Sequence, residues 1–126
     1  MRAIDTNVLV RLIVRDDVRQ AALAENFVEG GAWVSVLALT EAVWVLSTVY
    51  ELTHQQLVQA IEMLADHQDL VLQEHEAVET ALALFRQKPS LGFSDCMTIE
   101  LARKSGHLPL GTFDRGLARI DGARKL

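Results

Sequence analysis

The sequence predicts an α/β fold, with a mostly parallel sheet that carries helices on both faces. Three observations favour this fold. Short apolar runs typical of strands alternate along the chain with stretches whose apolar residues recur every three or four positions, as they do in helices. Glycine, proline or polar residues separate these segments. Strand, helix and strand in succession form the unit from which parallel sheets are built.

Each predicted element follows from one of these patterns. In the first half they are a strand over 2–5, a helix over 8–14, a helix from 16 to the pair Gly30-Gly31, a strand over 32–36 and a helix over 39–50. In the second half they are a helix over 57–64, a strand over 69–73, a helix over 78–85 that Pro89 ends, a helix from Ser94 to Ser105, and a strand over 108–113. Thr6 and Ser94 are the expected helix caps.

Length and composition predict one globular domain over 1–126, because the chain has 126 residues of which half are hydrophobic. The most apolar stretch, 33–50, carries Glu41 near its middle, and a carboxylate there would cost about 2.5–3.5 kcal/mol inside a membrane. A membrane protein is therefore not expected. Cys96 is the single cysteine and cannot form an internal disulfide, which favours the reducing cytoplasm.

The charge is unevenly distributed along the chain. The net charge is -5, but residues 20–85 contain ten acidic side chains and no lysine or arginine, while all twelve basic residues lie in the two ends. The middle therefore carries -10 and the ends together carry +5. The overall acidity does not exclude a nucleic-acid partner, since a basic surface could form from the ends.

Four acidic residues occupy related positions. Asp5 and Asp114 follow strands, Glu41 lies shortly after another, and Asp95 opens a late helix. Ligands of parallel sheets bind beyond the carboxyl ends of the strands, so these side chains are expected to converge. Taken singly, Asp5 and Asp114 could be helix caps and Asp95 could complement a helix dipole. Glu41 has no basic residue nearby in sequence, and an unpaired carboxylate is rarely buried without a metal.

Clustered carboxylates repel one another unless a divalent cation neutralises them. Oxygen ligands suit Mg²⁺ or Mn²⁺, and the chain has no Cys/His spacing typical of zinc. Such a cation would activate water and bind the oxygens of a phosphodiester.

Four motifs together resemble the PIN domains of the VapC toxins, over the whole chain. They are Ile4-Asp5-Thr6-Asn7-Val8-Leu9-Val10, Glu41 after the second strand, Phe93-Ser94-Asp95-Cys96, and Thr112-Phe113-Asp114-Arg115. The resemblance implies a metal-dependent endoribonuclease with a parallel sheet of about five strands in the order 3-2-1-4-5. It also implies a homodimer that a VapB-type antitoxin inhibits.

The resemblance assigns roles to single residues. The expected metal ligands and catalytic acids are Asp5, Glu41, Asp95 and Asp114, and the supporting polar residues are Thr6, Asn7 and Thr112. Similar proteins often carry another acid two positions after the fourth, where this chain has Gly116. A second metal is therefore expected to bind weakly or only with substrate.

Other side chains have simpler interpretations. Arg11 and Arg15, and likewise Arg115 and Arg119, are four apart, so each pair would share a helix face and contact RNA phosphates, unless these are ordinary solvated charges. Cys96 is expected to be buried, and the four histidines to have surface or capping roles. Trp33 and Trp44 are predicted to lie in the core, with stacking on an RNA base as the alternative.

Three other functions fit the sequence less well. A signalling receiver domain would need an acidic pair after the first strand and a lysine after a late strand, but the first strand offers only Asp5 and Thr112-Phe113-Asp114 contains no lysine. A phosphatase with an Asp-x-Asp nucleophile motif would need a second aspartate where Asn7 stands. A non-catalytic partner-binding module on the same scaffold is disfavoured by the intact set of four acids.

Overall fold

The structure is a computed structural model that describes all 126 residues. Two compact units divide the chain: unit 1, Met1–His75, and unit 2, Glu76–Leu126. The prediction of a single domain over 1–126 stays a prediction.

Unit 1 contains three strands that form one parallel sheet. Its elements are β1 (Arg2–Ile4), α1 (Thr6–Ile13), α2 (Val18–Val28), β2 (Ala32–Val34), α3 (Val36–Thr48), α4 (His54–Asp66) and β3 (Leu70–Leu72). The strand order is β1-β2-β3, and Ile4, Val34 and Leu72 are in register. The carboxyl ends of the three strands therefore lie along one edge, where Asp5 follows β1 and Ser35 follows β2.

The helices of unit 1 begin where a side chain can accept the first free backbone amides. The caps are Asp5, Asp17, Ser35 and Thr53, and Thr53 forms a reciprocal capping box with Gln56. α2 ends at Val28, and the chain then turns at Gly30 and Gly31, whose φ angles of 85° and 118° suit glycine. Local chemistry therefore sets most of these boundaries.

The core of unit 1 forms where α1 packs against α2 and α3, α3 against α4, and α4 against β3. Leu9, Leu39, Leu46, Ile61 and Leu64 are among its fully buried side chains. A methylene group removed from water contributes about 0.8 kcal/mol, so this apolar packing supplies the main stabilisation.

The predicted core positions of both tryptophans are wrong. Trp33 is 38% exposed because its neighbours Ala32 and Val34 take the buried face of β2, and strand side chains alternate. Trp44 is 63% exposed because α3 turns Ala42, Val43 and Leu46 towards the core instead.

Unit 2 contains the remaining elements, except that His75 at the start of α5 belongs to unit 1. They are α5 (His75–Gln87), α6 (Phe93–Lys104), β4 (Leu110–Thr112), α7 (Arg115–Ala118) and β5 (Ala123–Lys125). β4 and β5 form a parallel pair, with Leu110 opposite Ala123. Phe85 and Phe93 meet edge to face at 5.7 Å, and Met97 and Ile99 are fully buried.

The prediction of one five-stranded sheet is wrong, since the strands form a sheet of three and a separate sheet of two. Apolar runs identify extended segments but not their hydrogen-bonding partners, and each strand is only three residues long. The α/β class and the parallel pairing are confirmed.

The predicted caps are also corrected. Asp5 rather than Thr6 caps α1, and Gly92 rather than Ser94 precedes α6. No helix combines the length and apolar character that crossing a membrane requires.

Candidate active site

Asp5 links the end of β1 to the start of α1. It is exposed, and its Oδ1 accepts a hydrogen bond from the Val8 amide at 3.2 Å. This is the capping role that the sequence left open for it. Its Oδ2 makes no hydrogen bond or ion pair and can therefore bind a cation.

Glu41 lies in the second turn of α3, on the face turned to solvent. Its carboxylate has no hydrogen bond or ion pair, and Leu37 and Trp44, one turn away on either side, are also exposed. Neighbouring Thr40 donates its hydroxyl to the Val36 carbonyl at 3.0 Å. Glu41 is thus a fully available carboxylate on a rigid helix.

Asp95 lies in the first turn of α6 and is half-buried. Burial raises the pKa of its carboxyl above the usual value of 3.8, and the nearby negative charge of Asp114 raises it further. No hydrogen bond or ion pair compensates this charge. A bound cation would offset both the cost of burying the Asp95 charge and its repulsion by Asp114.

Asp114 caps α7 with one oxygen. Its Oδ1 accepts from the amides of Gly116 at 2.7 Å and Leu117 at 3.1 Å, while its own amide donates to the Thr112 hydroxyl at 3.0 Å. A Cβ at position 116 would stand 3.3 Å from that Oδ1, which explains why a residue without a side chain suits this tight cap. The second oxygen of Asp114 is unbonded.

Each unit holds two of the four predicted acids: Asp5 and Glu41 in unit 1, Asp95 and Asp114 in unit 2. Neither unit by itself brings three or more His, Cys, Asp or Glu side chains into metal-binding geometry. The donor chemistry nevertheless fits a hard divalent cation. All four are carboxylates, the type of ligand that such a cation prefers. Asp5 and Asp114 each have one oxygen without a hydrogen bond, whereas Glu41 and Asp95 have both oxygens free. No basic side chain forms an ion pair with Asp95 or Asp114.

Comparison with known proteins identifies the family. The family model of the PIN domain matches residues 3–123. The chain belongs to the PIN-domain family. Its members have a nuclease-type fold and are generally metal-dependent nucleases acting on RNA or DNA, which supports a hydrolase here. No curated protein and no solved structure matches significantly, so the assignment depends on the family model alone.

The supporting polar residues of this PIN domain differ in what they contact. Thr112 positions Asp114 by accepting its amide, as described above. Asn7 is exposed in α1 and its side chain has no intramolecular partner. Thr6 is the first residue of α1 and half-buried, and its hydroxyl makes no hydrogen bond.

The two arginine pairs are not equivalent. Arg11 forms an ion pair with Asp16 at 2.6 Å and donates to Gln20 and Tyr50, and Arg15 pairs with Glu25. The Tyr50 hydroxyl, followed by nearby acidic charge, raises the Arg11 pKa. α1 ends at Ile13, so the prediction that Arg11 and Arg15 share a helix face is wrong.

Arg115 and Arg119 are exposed at the two ends of α7 and have no intramolecular partner. Of the four predicted phosphate contacts, these two remain fully available.

Cys96 is fully buried, and burial, with the charges of Asp95 and Glu100, raises its pKa to about 12. It is therefore a packing residue and not a nucleophile. His67 follows α4 and its Nδ1 accepts the Asp69 amide at 3.0 Å, a capping role of the kind expected.

Sequence reasoning missed a groove beside Asp5 that Leu23 and Phe27 of α2 help to line. These large apolar residues lie off the buried stripe of Ala21, Ala24 and Val28, and that displacement was the available signal.

Proposed function

We propose that this PIN domain, extending over 1–126, is a metal-dependent endoribonuclease that cleaves RNA phosphodiester bonds as the toxin of a VapBC-type pair. The observation that carries the proposal is the carboxylate pair of Asp95 and Asp114. Burial and the negative charge of Asp114 disfavour the ionised form of Asp95, and no cationic side chain forms an ion pair with it. Uncompensated acids of this kind are typical of metal-binding catalytic sites.

We assign the metal ligands by motif to Asp5, Glu41, Asp95 and Asp114, with Mg²⁺ or Mn²⁺ as the ion. When bound, such an ion lowers the pKa of water and offsets the charge that develops on phosphate oxygens. The protein's part is to hold the carboxylates in place. Helix capping fixes Asp5 and Asp114 through one oxygen each, and α3 and α6 carry the other two.

The proposal includes partners. Arg115 and Arg119 would contact RNA phosphates, since their charges are exposed and unpaired. A VapB-type antitoxin would bring a basic segment to the acidic middle of the chain, which carries -10 between residues 20 and 85. A homodimer acting in the cytoplasm completes the proposal.

The test is cleavage of total RNA with Mg²⁺, with Mn²⁺ and with a chelator, followed by mapping of the cut ends. Wild type should cut only with metal, and Asp95→Asn should not cut. Glu100→Gln, in the same helix, is the matched control and should cut normally. Absence of cleavage under every condition would leave a non-catalytic scaffold, and cleavage in chelator would contradict the metal assignment.

A further inference from the structure

Gln73 directly follows β3, at the edge of the unit 1 sheet where the carboxyl ends of the strands lie. Its backbone amide donates to the Val34 carbonyl at 2.8 Å, which continues the pairing of β3 with β2. Its side-chain Oε1 accepts the amide of Val36, the first residue of α3, at 2.9 Å. The side chain therefore joins the end of one strand to the start of the helix that follows another, 37 residues away in sequence.

This contact departs from the pattern of the neighbouring strands. Asp5 and Ser35 follow β1 and β2, and each caps the helix that comes next in the chain. Gln73 reaches across to α3, although the next helix in the chain is α5. A helix begins with backbone amides that have no partner within the helix. In α3 the Ser35 hydroxyl accepts the Ala38 amide at 3.0 Å, and Gln73 binds a second of these amides from a different strand.

The backbone that follows Gln73 is strained. Glu74 has a φ angle of 58°, in the left-handed region that residues other than glycine rarely adopt. Such a conformation persists only where the surrounding structure holds it in place, and it is common at functional sites. Here it lies in the short turn between β3 and α5, so it fixes the direction in which the chain leaves Gln73.

The helix that Gln73 holds also carries Glu41. Glu41 lies about 7.5 Å along the helix axis from Val36, since an α-helix rises about 1.5 Å per residue. The Val36 carbonyl accepts the hydroxyl of Thr40, the residue before Glu41, at 3.0 Å. Val36 is thus bound to β3 through its amide and to the turn that carries Glu41 through its carbonyl. The place of the α3 start at the sheet edge therefore determines where the Glu41 carboxylate stands.

We infer that Gln73 is a positioning residue for the proposed metal site: it fixes the start of α3 at the sheet edge and thereby sets the place of the Glu41 carboxylate. The inference rests on the proposed function. The Glu41 carboxylate has no hydrogen bond or ion pair of its own, so its helix alone holds it in place. Groups that orient metal ligands affect the affinity for the metal although they do not touch it.

Two substitutions separate the hydrogen bond of Gln73 from the bulk of its side chain. Gln73→Met keeps the length but has no oxygen acceptor, whereas Gln73→Glu keeps an acceptor for the Val36 amide. Thr53→Ala is the matched control, because it removes a cap bond of the same kind from α4, where Thr53 accepts the Gln56 amide at 3.2 Å. Isothermal titration calorimetry gives the Mn²⁺ affinity, and NMR in chelator gives the hydrogen-exchange rate of the Val36 amide.

Gln73→Met should speed exchange of the Val36 amide. It should also weaken Mn²⁺ binding by about 10-fold, the low end of the loss expected when a group that orients a metal ligand is removed. Gln73→Glu should return both quantities close to their wild-type values, and Thr53→Ala should lower the melting temperature but change neither. In a Glu41→Gln background, Gln73→Met should weaken Mn²⁺ binding no further, because the ligand that Gln73 positions is already lost.

Four results would overturn the inference: wild-type Mn²⁺ affinity in Gln73→Met, equal losses in Gln73→Met and Gln73→Glu, an equal loss in Thr53→Ala, and losses from Gln73→Met and Glu41→Gln that add. Because Gln73 is exposed, the fold should tolerate Gln73→Met, and Gln73→Ala replaces it if thermal melting shows otherwise. If wild type and Gln73→Met bind Mn²⁺ equally well, the proposed function stands and only this inference falls. If wild type binds no Mn²⁺ and cuts no RNA, both fall.

Discussion

Two substitutions at Asp5 separate its structural role from its proposed catalytic role. Its Oδ1 caps α1 by accepting the Val8 amide at 3.2 Å. Asparagine offers an amide oxygen in the same place and ranks with aspartate as a cap, whereas alanine offers no acceptor. Asp5→Asn should therefore keep the fold and lose cleavage, while Asp5→Ala should lose cleavage and stability.

The magnitudes follow from the geometry. Losing a cap costs about 0.5–2 kcal/mol, and the 3.2 Å bond of an exposed residue indicates the lower half of that range, about 0.5–1 kcal/mol. For a chain of 126 residues this lowers the melting temperature by roughly 2–5 °C. For Asp5→Asn, loss of charge at the helix N-terminus costs about 0.3–1 kcal/mol.

Asp17 is the matched control because it caps α2 in the same way, with its Oδ1 accepting the Gln20 amide at 2.9 Å, and has no proposed catalytic role. Asp17→Ala should cost about 1 kcal/mol, and Asp17→Asn little. Both variants should cleave RNA like wild type.

Circular dichroism melts in chelator give the stabilities, and single-turnover cleavage in Mg²⁺ gives the activities. Asp5→Asn should cleave at least about a hundredfold more slowly, because a metal ligand affects the barrier by several kcal/mol. Near-normal cleavage by Asp5→Asn would reduce Asp5 to a cap. An unchanged melting temperature in Asp5→Ala would show that the cap adds no stability.

Three further outcomes are expected. Mn²⁺ should raise the melting temperature of wild type but not of Asp95→Asn, since a ligand at a hundredfold excess over its Kd adds about 2.7 kcal/mol to the free energy of unfolding. An equal rise in both proteins would show that Asp95 is not a metal ligand. Cys96 should resist alkylation at neutral pH until urea unfolds the protein, and rapid labelling of the native protein in mass spectrometry would contradict its burial. The free energy of unfolding should fall as pH rises from 9.0 towards about 12, because in that range only the unfolded chain releases the thiol proton. Arg119→Ala should weaken RNA binding and lower the slope of log affinity against log salt by about 0.7, whereas Glu76→Gln should change neither the affinity nor the slope. If Arg119→Ala and wild type have the same slope, Arg119 is a solvated charge that does not contact RNA.

Helices were predictable because their signals are local. The buried residues of α3, such as Ala42, Val43 and Leu46, recur at helical spacing, and the glycines after α2 mark its end. The same local information placed Asp95 in the first turn of a late helix and Asp5 directly after a strand. Those placements are confirmed, although the joint metal site of the four acids stays a proposal.

The wrong predictions concern features that depend on residues far apart in sequence, or on two neighbouring residues that compete for one role. Strand pairing joins residues far apart in sequence, so neither the two-strand sheet nor the partner of β4 could be found from apolar runs. Asp5 and Thr6 are adjacent and both are good caps, and only the backbone decides between them. The engagement of Arg11 by Asp16 and Tyr50 likewise depends on folding, because Tyr50 is 39 residues away.

Capping and metal binding are compatible roles for one carboxylate, although the sequence presented them as alternatives. A cap needs one oxygen, and Asp5 and Asp114 each use only Oδ1 for it. Capping then restricts the rotamer and leaves the second oxygen held in place for a cation. Capping alone does not make a site, since Asp17 caps α2 without following a strand. What distinguishes Asp5 and Asp114 is that each closely follows the carboxyl end of a parallel strand, where ligands of α/β folds bind.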